Sequence, residues 1–132
     1  MTTILNKFQN LPEVIAEEDF HNLFNELIKN AESISAESKI ELLNILGDRF
    51  GKFYDDLKLD PIEKAFISQQ LIKLTQFTDI NRICQLTGLM FSFSDDTYSD
   101  FLSDSLKTKH LTLNVRTEIE DSIGEFKKSD SQ

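Results

Sequence analysis

The sequence predicts an all-α fold built of antiparallel helix pairs. Apolar residues recur three and four apart along most of the chain, the period of one helix face. Four glycines and two prolines in 132 residues leave few strand-to-strand turns. The third observation is internal. Phe53, Asp55, Asp56 and Asp60 are matched by Phe93, Asp95, Asp96 and Asp100 forty residues on, about the length of one helix-turn-helix unit of a helical stack.

Taken in order, Ile4, Leu5 and Phe8 predict a short first helix closed by Leu11-Pro12, because a residue before proline avoids the helical region. Phe20, Leu23, Phe24, Leu27 and Ile28 form the stripe of a second helix that starts at about Glu13 or Glu17 and ends at Asn30, with Glu17, Glu18 and Asp19 on its positive end. Ser35 precedes a long third helix, whose face of Ile40, Leu43, Leu46, Phe50 and Phe53 is widened by Leu42, Ile45 and Leu57. Gly47 and Gly51 inside it predict close packing against a neighbour, or else a kink.

Asp60-Pro61-Ile62-Glu63 is the clearest helix start: an N-cap, a proline at the first helical position and a glutamate three residues after the cap. Ile62, Phe66, Ile67, Leu71, Leu74 and Phe77 carry that helix toward Thr78. Asp79 caps the next, with Ile80, Ile83, Cys84, Leu86, Thr87 and Met90; Cys84 on this face is expected to be a buried small hydrophobe. Phe91 and Phe93 fall in the loop that follows. Ser94 or Asp95 opens a helix with Tyr98, Phe101, Leu102 and Leu106 inward, and Val115, Ile119, Ile123 and Phe126 mark a last helix from about Leu113.

Sliding the chain on itself by forty places Ile40 on Ile80, Leu43 on Ile83, Leu46 on Leu86, Phe50 on Met90, Ile62 on Leu102 and Phe66 on Leu106. These pairs predict a duplication, and with it a short HEAT-like right-handed array of about six or seven helices. One helical domain is expected over residues 1–127, with a polar tail at 128–132.

The formal charge is −9, and neither half is basic: thirteen acids face seven bases up to Phe66, and ten face seven after it. Such a field repels nucleic acid and anionic lipid and favours a basic protein partner. A single cysteine excludes an intrachain disulfide framework. The N-terminal residues lack a basic stretch followed by an apolar run, so a cytoplasmic protein is expected.

No catalytic motif, cofactor site or metal site is read from the sequence. His21 and His110 lie in no ligand or nucleophile-base pattern and are expected at a core edge and in an interhelical loop. Asp95, Asp96, Asp100 and Asp104 lack the turn glycine and final glutamate of a calcium loop. Gly47-Asp48-Arg49-Phe50-Gly51 lacks the Lys-Ser/Thr of a phosphate loop. The protein is therefore not expected to be an enzyme.

The acids are organised as a surface. No Lys or Arg occurs from Ile83 through Leu106, and Asp96, Asp100 and Asp104, spaced by four, share one side of a helix. Partner binding is assigned to Asp55, Asp56, Asp60, Asp95, Asp96, Tyr98, Asp100 and Asp104, with Tyr98 as a desolvated anchor; Phe91 and Phe93 are alternative anchors but are expected in the core. Part of the repeated motif is structural, since Asp60 and Asp95 or Asp96 serve as helix caps.

Small size, paired helices, acidic balance and the absence of catalytic residues together resemble the bacterial immunity proteins of polymorphic-toxin and contact-dependent growth-inhibition systems, some of which are HEAT-like. The resemblance is one of character over the whole chain. It implies an antidote, a monomer or small homo-oligomer, that binds one basic toxin and masks its active site or substrate groove, with the aspartates standing in for phosphate. The alternative is a helical adaptor or regulatory subunit of a cellular protein.

Overall fold

Asp60 and Glu63 close a reciprocal capping box. The Glu63 N–H donates to Oδ1 of Asp60 at 2.8 Å, and the Asp60 N–H donates to Oε1 of Glu63 at 2.9 Å, satisfying two donors that a helix start leaves orphaned. The same local logic sets the other boundaries. In the computed structural model, which describes residues 4–12, 14–52 and 58–130 (side chains of 50–52 and 129–130 excepted), the chain forms seven α-helices and no strand among those residues. They are α1 (Ile4–Gln9), α2 (Glu17–Asn30), α3 (Ala36–Lys52), α4 (Pro61–Leu74), α5 (Ile80–Phe93), α6 (Asp96–Thr108) and α7 (Leu113–Asp130), with a 3-10 turn at Ala31–Ser33. The expected all-α array of six or seven helices is what these residues build.

The chain forms two compact units, Met1–Ile67 and Ser68–Gln132, and the boundary falls inside α4. In the first unit α1 packs on α3. Gln9 donates to Glu41 at 3.0 Å, and Lys7 pairs with Glu26 of α2 at 2.7 Å. Phe8, Phe20, Phe24, Leu27, Ile40, Leu42, Leu43 and Leu46 form the core. Phe24 meets Phe66 of α4 edge-on at 5.8 Å, a favoured aromatic geometry.

In the second unit α7 packs on both α5 and α6. Ile83, Leu86, Leu89, Met90, Tyr98, Leu102, Val115 and Ile119 are almost wholly enclosed. Two residues join α5 to α6. Ser94 adopts the left-handed conformation at φ 50°, which turns the chain so that the Asp95 N–H reaches the Met90 carbonyl at 2.9 Å. Asp95 then caps α6, accepting from the Tyr98 N–H at 3.0 Å, as Asp79 caps α5 by accepting from the Arg82 N–H at 3.1 Å. Two C-terminal ends are closed by guanidinium groups: Arg82 donates to the Leu74 carbonyl at the end of α4 and Arg116 to that of Leu106 in the last turn of α6, each at 3.1 Å.

Several expectations are corrected. Helix α4 stops at Leu74 rather than reaching Thr78, where Thr75 turns its hydroxyl back onto the Leu71 carbonyl at 2.7 Å. Ile62 lies 70% exposed while its neighbour Glu63 is fully buried, because the capping box holds that carboxylate inward. Ser68 and Gln70 of α4 are buried too, and Oε1 of Gln70 has no hydrogen-bond partner among the described residues. Cys84 is exposed, since the buried stripe of α5 runs through Ile83, Leu86, Thr87, Leu89 and Met90 and leaves position 84 beside it. Phe91 and Phe93 belong to the last turn of α5 and not to a loop.

Of the α3 and α5 positions paired by the forty-residue register, Leu43 and Ile83, and Leu46 and Leu86, are buried in pairs, whereas Ile40 is buried and Ile80 half-buried, and the Phe50 side chain lies outside the described residues. In the following helices Phe66 and Leu106 are both half-buried, but Ile62 is exposed where Leu102 is buried. The caps show why. At that offset Asp60 falls on Asp100, yet α6 is capped five residues earlier by Asp95.

Candidate functional site

Two groups of side chains stand out, one in each unit. The sequence-predicted acidic surface lies in the second. Asp96, Asp100 and Asp104 are all exposed on α6, one turn apart, and none makes an ion pair among the described residues. Like charges at this spacing repel, so the row raises the local negative potential without stabilising the helix.

The other predicted partner-binding residues fall elsewhere. Asp55 and Asp56 lie outside the described residues. Asp60 is exposed, but its carboxylate is engaged in the capping box. Asp95 is 7% exposed, and both its carboxylate oxygens accept from the Ser68 hydroxyl, at 2.8 and 2.9 Å, while it caps α6. It is a structural group and not a surface one.

Tyr98 is likewise corrected from anchor to core. Its ring is fully buried, stacked on Phe101 at 5.8 Å, and its hydroxyl lies 2.8 Å from Oγ1 of Thr75. Because the Thr75 hydroxyl spends its proton on the Leu71 carbonyl, Tyr98 is the donor to Thr75. Burial pushes the phenol up to about 12, and the nearby Asp95 carboxylate adds to the rise.

Apolar surface beside the aspartate row comes from a different place. A groove of about 390 Å³ between α6 and α7 is lined by Ser103, Leu106, Lys107, Glu120, Ile123, Gly124 and Lys127. Phe91, 39% exposed, packs edge-on against Phe126 at 5.7 Å. On α5 the Cys84 thiol is held in its protonated form by partial desolvation and by the Glu118 carboxylate, the reverse of what a reactive thiolate needs.

The second group was not legible as a site in the sequence. His21 on α2 directs Nδ1 at Oε2 of Glu63, 2.7 Å away, and its Nε2 stands 3.6 Å from Oε1 of Glu17 one turn earlier on α2. Phe20 holds the ring edge-on at 5.5 Å. The Glu63 side chain is 1% exposed and that of His21 is 23% exposed. The hydrogen bond to Glu63 raises the imidazole pKa above its ordinary value; desolvation opposes this, and the charge of Glu63, the bond to Glu17 and the charge of Asp60 reinforce it. Single donor atoms of His21, Asp60 and Glu63 lie within 4.8 Å of one another, close enough to share one metal ion.

No protein-family model matches the chain, and neither does any curated protein or solved structure. No helix among the described residues is long and apolar enough to cross a membrane.

Proposed function

We propose that this protein binds and neutralises a cognate basic protein toxin, covering its active site or substrate groove, in the manner of the immunity proteins it resembles. The observation that carries this reading is the exposed row Asp96, Asp100 and Asp104, free of ion pairs among the described residues and set in a stretch without Lys or Arg. A field of this kind accelerates encounter with a cationic surface and discourages nucleic acid. Charge supplies rate and register, and affinity needs desolvated apolar contact as well. The α6–α7 groove, with the half-buried Leu106 in its wall, offers apolar surface on the same helix as the row, in place of the buried Tyr98.

The test is capture of partners on the immobilised protein at low and high salt, with Asp96→Lys plus Asp100→Lys as the comparison. A basic protein retained at low salt, weakened by salt and lost with the double variant, is expected. Retention of every captured protein by the double variant refutes the acidic-surface reading. A basic partner that inhibits no growth when expressed alone favours the adaptor instead, and an adjacent reading frame for a secreted modular toxin favours immunity.

A further inference from the structure

The first unit holds a cluster that protein binding through α6 does not use. Helix α2 presents Glu17 and His21 at i and i+4, a spacing that sets two ligands on one helix face. The capping box at the start of α4 presents Asp60 and Glu63 to the same place.

We propose that His21, Asp60 and Glu63 form a binding site for a divalent transition-metal ion, with Zn2+ as its natural probe. Nδ1 of His21, one oxygen of Glu63 and one of Asp60 are the protein ligands, and solvent at the exposed Asp60 side supplies the fourth. The donor set combines the imidazole that Zn2+ and its neighbours favour with two hard carboxylates.

Four features of the cluster suit an ion. Each ligand is already oriented by a second partner. Oε1 of Glu63 is held by the Asp60 N–H, Oδ1 of Asp60 by the Glu63 N–H, and the far nitrogen of His21 faces Glu17, the carboxylate–histidine arrangement that fixes the ring in metal sites. Charge also fits: Glu17, Asp60 and Glu63 outweigh one imidazole and the roughly half positive charge of a helix N-terminus, leaving a surplus that a dication cancels. Access is open, because the His21 ring is partly exposed and Asp60 is exposed. The geometry is within reach. Two ligands on a tetrahedral zinc stand about 3.3 Å apart, so the 2.7 Å His21–Glu63 contact opens by about 0.6 Å as the ion replaces the shared proton.

The experiment uses the full chain carrying Cys84→Ser and His110→Gln, which removes two exposed groups able to take Zn2+ on their own. After chelator treatment, Zn2+ is titrated calorimetrically, and Co2+ is added in parallel to read its visible absorption. One ion per chain is expected, with a Co2+ spectrum of a low-symmetry nitrogen and oxygen site and a melting temperature that climbs with metal concentration. His21→Gln is expected to lower affinity at least 100-fold. Asp60→Asn, which keeps a competent helix cap, is expected to lower it about 10-fold or more, and Glu17→Gln 10- to 100-fold. Absence of stoichiometric uptake in that background at 100 μM Zn2+, or uptake unchanged by His21→Gln, overturns the site. Failure here leaves the α6 reading intact, because the capture experiment tests different residues in the other unit.

Discussion

Replacing Asp95 by Ala removes two stabilising roles at once. The carboxylate caps α6 through the Tyr98 N–H, and both its oxygens accept from Ser68 of α4. Loss of an N-cap costs about 1 kcal/mol, within a range of roughly 0.5–2. A hydrogen bond to a charged group contributes roughly 1.5–3 kcal/mol, of which the freed Ser68 hydroxyl recovers part by turning to another acceptor. Asp95→Ala is therefore expected to destabilise the fold by about 2–4 kcal/mol, which for a chain of this size lowers the melting temperature by roughly 10 °C. Asp95→Asn keeps an acceptor for both donors and loses only the charge, so about 1 kcal/mol is expected.

Urea unfolding followed by far-ultraviolet circular dichroism measures the difference, with Asp104→Ala as the surface comparison. Asp104 is exposed in mid-helix, and its removal relieves repulsion from Asp100, so a change within about 0.5 kcal/mol is expected. An Asp95→Ala variant as stable as Asp104→Ala would refute the division between structural and surface aspartates. The m-value is expected to stay constant, since the change acts on folded contacts and not on the area exposed by unfolding.

Three further outcomes follow from named geometry. Ser94 carries a β-carbon at φ 50°, so Ser94→Gly is expected to raise stability by about 0.5–1 kcal/mol in the same urea assay. The Tyr98 phenol sits at about 12 when folded against an ordinary 10, so its contribution is complete below pH 10 and is lost as pH rises toward 12; the wild type should lose about 3 kcal/mol across that window that Tyr98→Phe does not lose. For His21 the folded pKa is raised, so the stability it contributes is complete below its unfolded value near 6.5 and fades as pH climbs through the higher folded value. In chelator, a melting-temperature profile from pH 5 to 8 should therefore fall more steeply for the wild type than for His21→Gln.

Helix starts were legible where a short local signal specifies them. Asp60-Pro61-Ile62-Glu63 and Asp79 each place a side-chain acceptor within three residues of the donor it satisfies, and the structure starts α4 and α5 there. Burial was less legible, because a spacing of three or four does not say how wide the buried stripe is. Cys84 stands next to Ile83 and falls outside that stripe. Ile62 satisfies the apolar period and is nonetheless exposed, since Glu63 beside it is turned inward by its own backbone bond. Tyr98 fitted both an inward position and a surface anchor, and the Thr75 hydroxyl waiting 2.8 Å from its phenol resolves the choice toward the core.

The same distinction separates the two candidate sites. The aspartate row of α6 depends on residues four apart on one helix, so sequence alone exposes it. The His21 cluster joins residues 42 positions apart, and no motif search finds such a pair. Its two halves were nonetheless visible, Glu17 and His21 at helical spacing and Asp60 with Glu63 as a capping box; what the sequence lacked was the packing of α2 that brings them together. Phe20 and Phe24 drive that packing, with Phe24 meeting Phe66 three residues beyond Glu63 on α4. The apolar stripe of α2 thus fixes where its polar edge lands, and His21, one residue from Phe20, is delivered to Glu63 by hydrophobic contacts that do no chemistry themselves. Truncating Phe24 should accordingly loosen the His21–Glu63 pair, whereas substitutions of Asp96 and Asp100, which share no residue with the cluster and lie in the other unit, should leave it unchanged.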